Sequence, residues 1–165
     1  MLHWGMSIRT VFFPAALLAT ALPCGQAQAP AGPFPAAWNS AGLSTATFVI
    51  LEPQLVGPNL LGGSDQGSVL AAMRRDSAGA LKRRYPRATV VLTQDAARAQ
   101  AIRVTPVLKT PGALLPWLKL TARLDFALPG GEQVSVAQDF GLLTVWQHQA
   151  EAANFVYDQL AQRLP

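Results

Sequence analysis

Hydrophobic and polar residues alternate almost without interruption from Leu118 onward. The even positions Leu118, Leu120, Ala122, Leu124, Phe126 and Leu128 are apolar, while Lys119, Thr121, Arg123 and Asp125 between them are polar. A period of two belongs to a β-strand with one buried and one wet face. Val134, Val136, Phe140 and Leu142 carry the apolar side back on a second arm, with Gln138 the one polar residue among them. Pro129-Gly130-Gly131 joins the arms and predicts a three-residue loop, a type I turn whose last residue is left-handed. That loop sets Phe126 opposite Val134, Leu124 opposite Val136 and Leu120 opposite Phe140. A two-residue Gly-Gly loop would set Phe126 against Ser135 and break the apolar face. The stretch from Trp117 to Trp146 thus reads as one long hairpin.

The remaining pattern supplies what covers that hairpin. Thr47 to Leu51 is apolar on both faces, as in a central strand. After a loop, the spacing turns helical from about Asp65 to Tyr85, with Leu70, Met73, Ser77, Ala80, Leu81 and Tyr85 on one side. Ser64 or Asp65 is placed to cap this helix and Pro86 to stop it. Ala88 to Thr93 reads as a second strand, Asp95 to Gln100 as a short helical turn, and Ala101 to Lys109 as a third strand. Pro106 has no ladder donor, so it makes that strand an edge or marks a bulge. A last helix is predicted over 147–164, with Ala153, Val156, Leu160 and Leu164 inward, helped by Phe155 and Tyr157. The order is β-α-β-(α)-β-β-β-α: an α/β (α+β) fold with a mixed sheet, a long C-terminal hairpin and helices packed on the sheet.

The first residues change the picture from a domain to an exported domain. Arg9 closes a short basic region, and Val11 to Leu22 is an apolar run too short to cross a bilayer. Ala27-Gln28-Ala29 is a small-x-small site, but Pro30 follows it, which favours cleavage after Ala27 or Ala31. Residues 1–29 therefore read as a signal peptide, 30–44 as a Pro/Ala/Gly-rich linker and 45–165 as a single α/β domain. Cys24 is the only cysteine. It raises a lipid-anchored alternative, against which Pro23 stands as a poor neighbour. A domain without cysteine has no disulfide framework and no thiolate metal site. The expected location is periplasmic or secreted.

Charge adds one candidate surface. Arg9 alone of the thirteen Lys/Arg precedes residue 30, so twelve remain against nine Asp/Glu, a net of +3. Six of the twelve, Arg74, Arg75, Lys82, Arg83, Arg84 and Arg87, crowd the predicted helix and its exit. Such a patch attracts anionic polymers or lipid headgroups. Only Tyr85 is interleaved, whereas readers of single-stranded nucleic acid stack bases on several aromatics, so no specific nucleic-acid binding is expected.

Candidate catalytic sets are thin. Asp125 and Asp139 face the same side of the hairpin but fall opposite Ser135 and Thr121, roughly 13 Å apart along the strands, wider than paired glycosidase carboxylates. His148 is the one histidine after the signal region, with no cysteine or second histidine for a zinc set and no G-x-S-x-G elbow for a serine nucleophile. Gly62 to Ser68 precedes a helix but lacks the Gly-Lys-Ser/Thr of a phosphate loop, and Asp65 would repel an anion. No catalytic residue, metal ligand or cofactor is assigned.

The element order, the strand AQAIRVTPVL ahead of the hairpin, the turn DFALPGGEQV and the closing helix near Phe155-Val156-Tyr157-Asp158 resemble one group of domains. These are the α/β domains of envelope proteins such as the curli-secretion lipoprotein, the penicillin-binding-protein activator lipoprotein and the N-terminal domain of the Tol–Pal propeller protein. The resemblance spans about 45–165. It implies a non-catalytic domain that binds a protein partner or helps envelope assembly. The competing expectations are a binder of an anionic polymer or headgroup through helix 65–85, and an unrecognised hydrolase.

Overall fold

The computed structural model describes residues 35–58, 63–92, 100–112, 118–148 and 151–165, with Gly63 and Ser64 described by backbone alone. The expected signal peptide, Cys24, the helical turn expected from Asp95, Gly62 and Trp117 lie outside the described residues. The elements in chain order are α1 (Ser40–Ser44), β1 (Thr47–Ile50), β2 (Gln54–Val56), α2 (Gly63–Arg84), β3 (Thr89–Val91), β4 (Ile102–Lys109), β5 (Lys119–Ala127), β6 (Gln133–Gly141), α3 (Leu142–Gln147) and α4 (Ala152–Gln162). The strands form one mixed sheet in the order β3-β1-β4-β5-β6, with β2 also paired to β4. The expected fold class is the observed one.

The hairpin has the register its side chains demand. Phe126 pairs with Val134, Leu124 with Val136 and Leu120 with Phe140. Gly131 N–H donates to the Leu128 carbonyl at 2.9 Å, and Leu128 N–H to the Glu132 carbonyl at 2.8 Å. Gly131 has φ +86°, the left-handed conformation that closes a three-residue loop. Leu120, Ala122, Leu124, Phe126, Val134 and Phe140 are buried beneath α2 and α4, together with Phe48 and Ile50 of β1 and Ile102 and Val104 of β4. The odd residues form the wet face. There Thr121 donates to Asp139 at 2.7 Å and Ser135 to Asp125 at 2.6 Å, and Arg123 lies 2.9 Å from Asp125.

Five local expectations are revised. The returning arm stops at Gly141 rather than reaching Trp146. Leu142 N–H makes the last bond to the Leu118 carbonyl at 3.0 Å, and the chain then turns into α3. Leu142 and Leu143 are adjacent and both apolar, which ends the alternation. Leu142 and Val145 instead share a helix face turned to the core.

Of the two readings of Pro106, the edge is overturned, since its strand is central, and the bulge is the one observed. On one side β4 pairs through Ile102–Val104 with β1 and through Val107–Lys109 with β2. Leu51, Glu52 and Pro53 bulge out between, opposite Thr105 and Pro106. Val104 turns its carbonyl to that side, accepting from Leu51 N–H at 2.8 Å, so Pro106 faces the gap and no ladder bond is lost. β2 itself falls where a loop was expected. Gly57 follows it with φ +111°, and a Cβ there would come within 2.8 Å of the Thr110 carbonyl oxygen.

α2 begins at Gly63, so Asp65 lies in its first turn and the glycine-rich approach is already helical. Finally, the last part of the expected linker is packed. Asn39 accepts from Gly42 N–H at 2.8 Å to cap α1, Leu43 is buried, and the Trp38 ring meets Phe126 edge-on at 4.8 Å. The proline- and alanine-rich composition hid these two anchors.

Candidate functional site

The six basic residues do not form one patch. Arg74 and Arg75 lie in the middle of α2, and Lys82 to Arg87 at its end, about 10 Å further along the axis. Most of them serve the fold. Arg74 bonds Glu52 at 2.6 Å and also reaches the Leu92 carbonyl, joining α2 to the exits of β1 and β3. Lys82 donates at 2.8 Å to the carbonyls of Pro86 and Ala88, closing the last turn of the helix. Arg83 bridges to α4 through Asp158 at 2.7 Å and through Asn154. Arg84 donates to the Leu164 carbonyl at 2.7 Å and lies over the Tyr85 ring, whose hydroxyl donates to the Pro165 carbonyl at 2.7 Å. Arg75 bonds its neighbour Asp76 at 2.7 Å, and this bond holds its guanidinium above the usual arginine range. Arg75 and Arg83 keep 72% and 52% of their side-chain surface open, and Arg87 is exposed.

A shallow groove of about 390 Å³ runs beside Arg74, lined by Glu52, Leu70, Ala71, Arg75 and Leu92. Arg74 and Glu52 in its wall are paired with each other, while Arg75 bonds Asp76 outside the groove and stays largely open to solvent. Under α2 lie Asp76 and Ser77, both buried, with the Ser77 hydroxyl bonded back to the Arg74 carbonyl at 3.1 Å. The Tyr157 hydroxyl is buried with no hydrogen-bond partner among the described residues, and burial, with the Asp76 charge, pushes the phenol well above its ordinary range.

The catalytic candidates are placed as structural groups. Asp125 and Asp139 each accept from a hydroxyl on the facing strand and do not meet. The His148 ring stacks on Phe155 at 3.7 Å, and Phe155 meets Phe140 edge-on. Among the described residues no group of three His, Cys, Asp or Glu is disposed to hold a metal ion.

Of the exposed large apolar residues among those described, Val56 ends β2 and Leu92 lines the groove beside Arg74, while the two others lie together on α3. Leu143 and Trp146 stand one turn apart on the same side of that helix, 55% and 45% exposed, while Leu142 is buried and Val145 packs on the core. The spacing of Leu142 with Val145 and of Leu143 with Trp146 carries this in the sequence. Assigning the segment to a strand concealed it.

No family model and no curated protein matches the sequence. Similar solved structures include a chain of the PelC dodecamer from Paraburkholderia phytofirmans, at 13% identity over 74% of this chain and 88% of that one, with a TM-score of 0.42. A putative neuraminyllactose-binding hemagglutinin homolog from Helicobacter pylori is similar at 12% identity over 73% and 86%, also at 0.42. A minor lipoprotein from Acinetobacter baumannii is similar at 13% identity over 72% and 88%, with a TM-score of 0.31.

Proposed function

We propose that the chain is an exported, non-catalytic module of the cell envelope, periplasmic or secreted, that binds a protein partner through α3. The observation that carries the binding face is the exposed Leu143–Trp146 pair. A half-exposed tryptophan beside a leucine is costly to leave in water, and aromatic anchors of this kind dominate protein interfaces. Export is supported by the basic, apolar and small-residue succession of residues 1–29. The non-catalytic reading is supported by carboxylates held apart on the hairpin and a histidine committed to an aromatic stack.

The test is photo-crosslinking in the native envelope from a probe at position 146, with a probe at the exposed hairpin turn, Glu132, as control. A discrete adduct from 146 alone is expected, lost when Leu143 is changed to Ser. No adduct, or the same adducts from both positions, overturns the α3 face. Intact-mass measurement of the exported protein addresses the N-terminus. A start after Ala27 or Ala31 is expected, and a diacylated Cys24 would overturn the unanchored form.

A second reading keeps the anionic polymer or headgroup as ligand. It is favoured by the openness of Arg75, Arg83 and Arg87, which retain donors toward solvent. Salt separates the two, since ionic attachment weakens as counterions screen it and an apolar contact does not.

A further inference from the structure

The free edge of β6 is the longest unpaired strand edge among the described residues, and apart from Asp139 its sequence carries none of the usual defences. Edge strands are ordinarily blunted by lysine, proline, bulges or shortness. β6 has nine residues, QVSVAQDFG, in unbroken register with β5, and contains neither lysine nor proline. The opposite edge, β3, has only three residues.

The hydrogen bonds define which groups face outward. Leu142 N–H and the Glu132 carbonyl bond to β5, so the even residues between them turn their backbone inward. Gln133, Ser135, Ala137, Asp139 and Gly141 therefore turn theirs to the free side. One contact confirms this independently: the Arg163 guanidinium, just beyond α4, donates to the Ala137 carbonyl at 3.3 Å. Ala137 is the central residue of the strand, so the one side chain bonded to this edge among the described residues covers its middle.

The strand is also self-complementary. In the antiparallel register that pairs all nine residues with a second copy, Ala137 lies on the two-fold axis. Ser135 then faces Asp139 of the second copy, Val134 faces Phe140, Val136 faces Gln138 and Gln133 faces Gly141. Every outward N–H and C=O gains a partner, because outward residues meet outward residues. No like charges oppose each other, and the two Asp139 carboxylates lie about 13 Å apart. The face pattern of the hairpin continues unbroken, hydroxyl against carboxylate on the wet side and valine against phenylalanine on the helix side.

We propose that β6 is a docking strand for a second copy of this chain, paired antiparallel about Ala137, and that Arg163 gates it. While Arg163 holds the Ala137 carbonyl, the central bonds of the intermolecular ladder cannot form. Docking requires both guanidiniums to swing away, and the two-fold axis brings these like charges together. Screening that repulsion favours the pair, so self-association strengthens as salt rises, the reverse of an ionic contact. This surface is separate from α3 and does not rest on it.

Sedimentation velocity of the purified chain over a wide concentration range, at low and high salt, tests the proposal. Arg163→Ala removes both the covering bond and the repulsion and should tighten the dimer about tenfold, with the salt dependence lost. Ala137→Pro removes an N–H that makes no bond within the chain, so the fold tolerates it while the ladder loses its centre. The double variant should therefore be monomeric. Circular dichroism and the thermal midpoint report that the variants are folded. An Arg163→Ala variant that stays monomeric throughout overturns the proposal. So does a dimer that survives Ala137→Pro, since its interface would then lie elsewhere.

Discussion

The β5–β6 hairpin and the basic run from Arg74 to Arg87 are the two most conspicuous stretches of the chain, and they differ in how composition becomes geometry. In the hairpin each side chain's direction is set by the backbone, so alternation plus a Pro-Gly-Gly turn specifies partners residue by residue. In the basic run the charges ride on long flexible stems, and where each ends depends on what lies nearby in space. Glu52, Asp158 and the carbonyls of Leu92, Ala88 and Leu164 draw five of the contacts away from solvent. Strand periodicity is a statement about structure. A run of like charge is only a statement about supply.

The largest test of that contrast lies on the buried side of the hairpin. Leu124 is fully buried opposite Val136, so Leu124→Ala should cost about 2–5 kcal/mol, read as a shift in the urea midpoint. A loss near zero would mean that the alternation does not mark the core. Next is the turn. Gly131→Val places a β-branched residue at φ +86° and should cost about 1–2 kcal/mol or more, with Gly130→Ala clearly milder. Equal losses would break the assigned turn.

Tyr157→Phe sharpens the comparison from the buried side of α4. The hydroxyl has no partner among the described residues, so its removal should leave stability unchanged or raise it by about 1 kcal/mol. The sign with pH follows from the raised phenol. In the unfolded chain tyrosine loses its proton near pH 10, while the folded Tyr157 still holds it, so stability falls as pH rises above that point. Tyr85 is shifted in the same direction, chiefly by burial. Tyr157→Phe should therefore reduce the alkaline slope without abolishing it, and an unchanged slope would remove Tyr157 from the account.

The smallest effects belong to the bases. Arg83→Gln should cost at most about 1 kcal/mol, because its partners are half exposed. Arg75→Gln with Arg87→Gln should stay within about 0.5 kcal/mol in stability. If that pair lowers envelope association at low salt and not at high salt, the anionic ligand gains over the α3 partner. If association is unchanged at both, these bases are a solvated face.

The sheet, the turn and the core stripes of α2 and α4 were legible because period and burial are the same fact seen twice. Met73, Ala80, Leu81 and Tyr85 are buried at the spacing that announced them. Two kinds of feature were not. β2 is three residues long, and although Pro106 marks the bulge, no local pattern announces a strand beyond it. Short amphipathic pieces such as α3 read equally as strand or helix until a cap decides, and here Gly141 and the Leu118 carbonyl decide. Arg163 was illegible for a third reason, since its role lies in a contact with Ala137 made only once sheet and helix are assembled.

The joining of the two ends of the domain has a consequence for how the chain acquires its shape. Trp38 and Leu43 share a core with Leu160 and Leu164, and Arg84 and Tyr85 hold the carbonyls of Leu164 and Pro165. The hairpin can zip within microseconds, because its contacts are local. The apolar side it then presents stays uncovered until α4, which follows the hairpin in the chain, docks across it. During that interval a sticky sheet face and an unguarded β6 edge are exposed together, since Arg163 arrives only with α4. Synthesis of this chain thus opens a window of aggregation risk whose length is set by the arrival of α4.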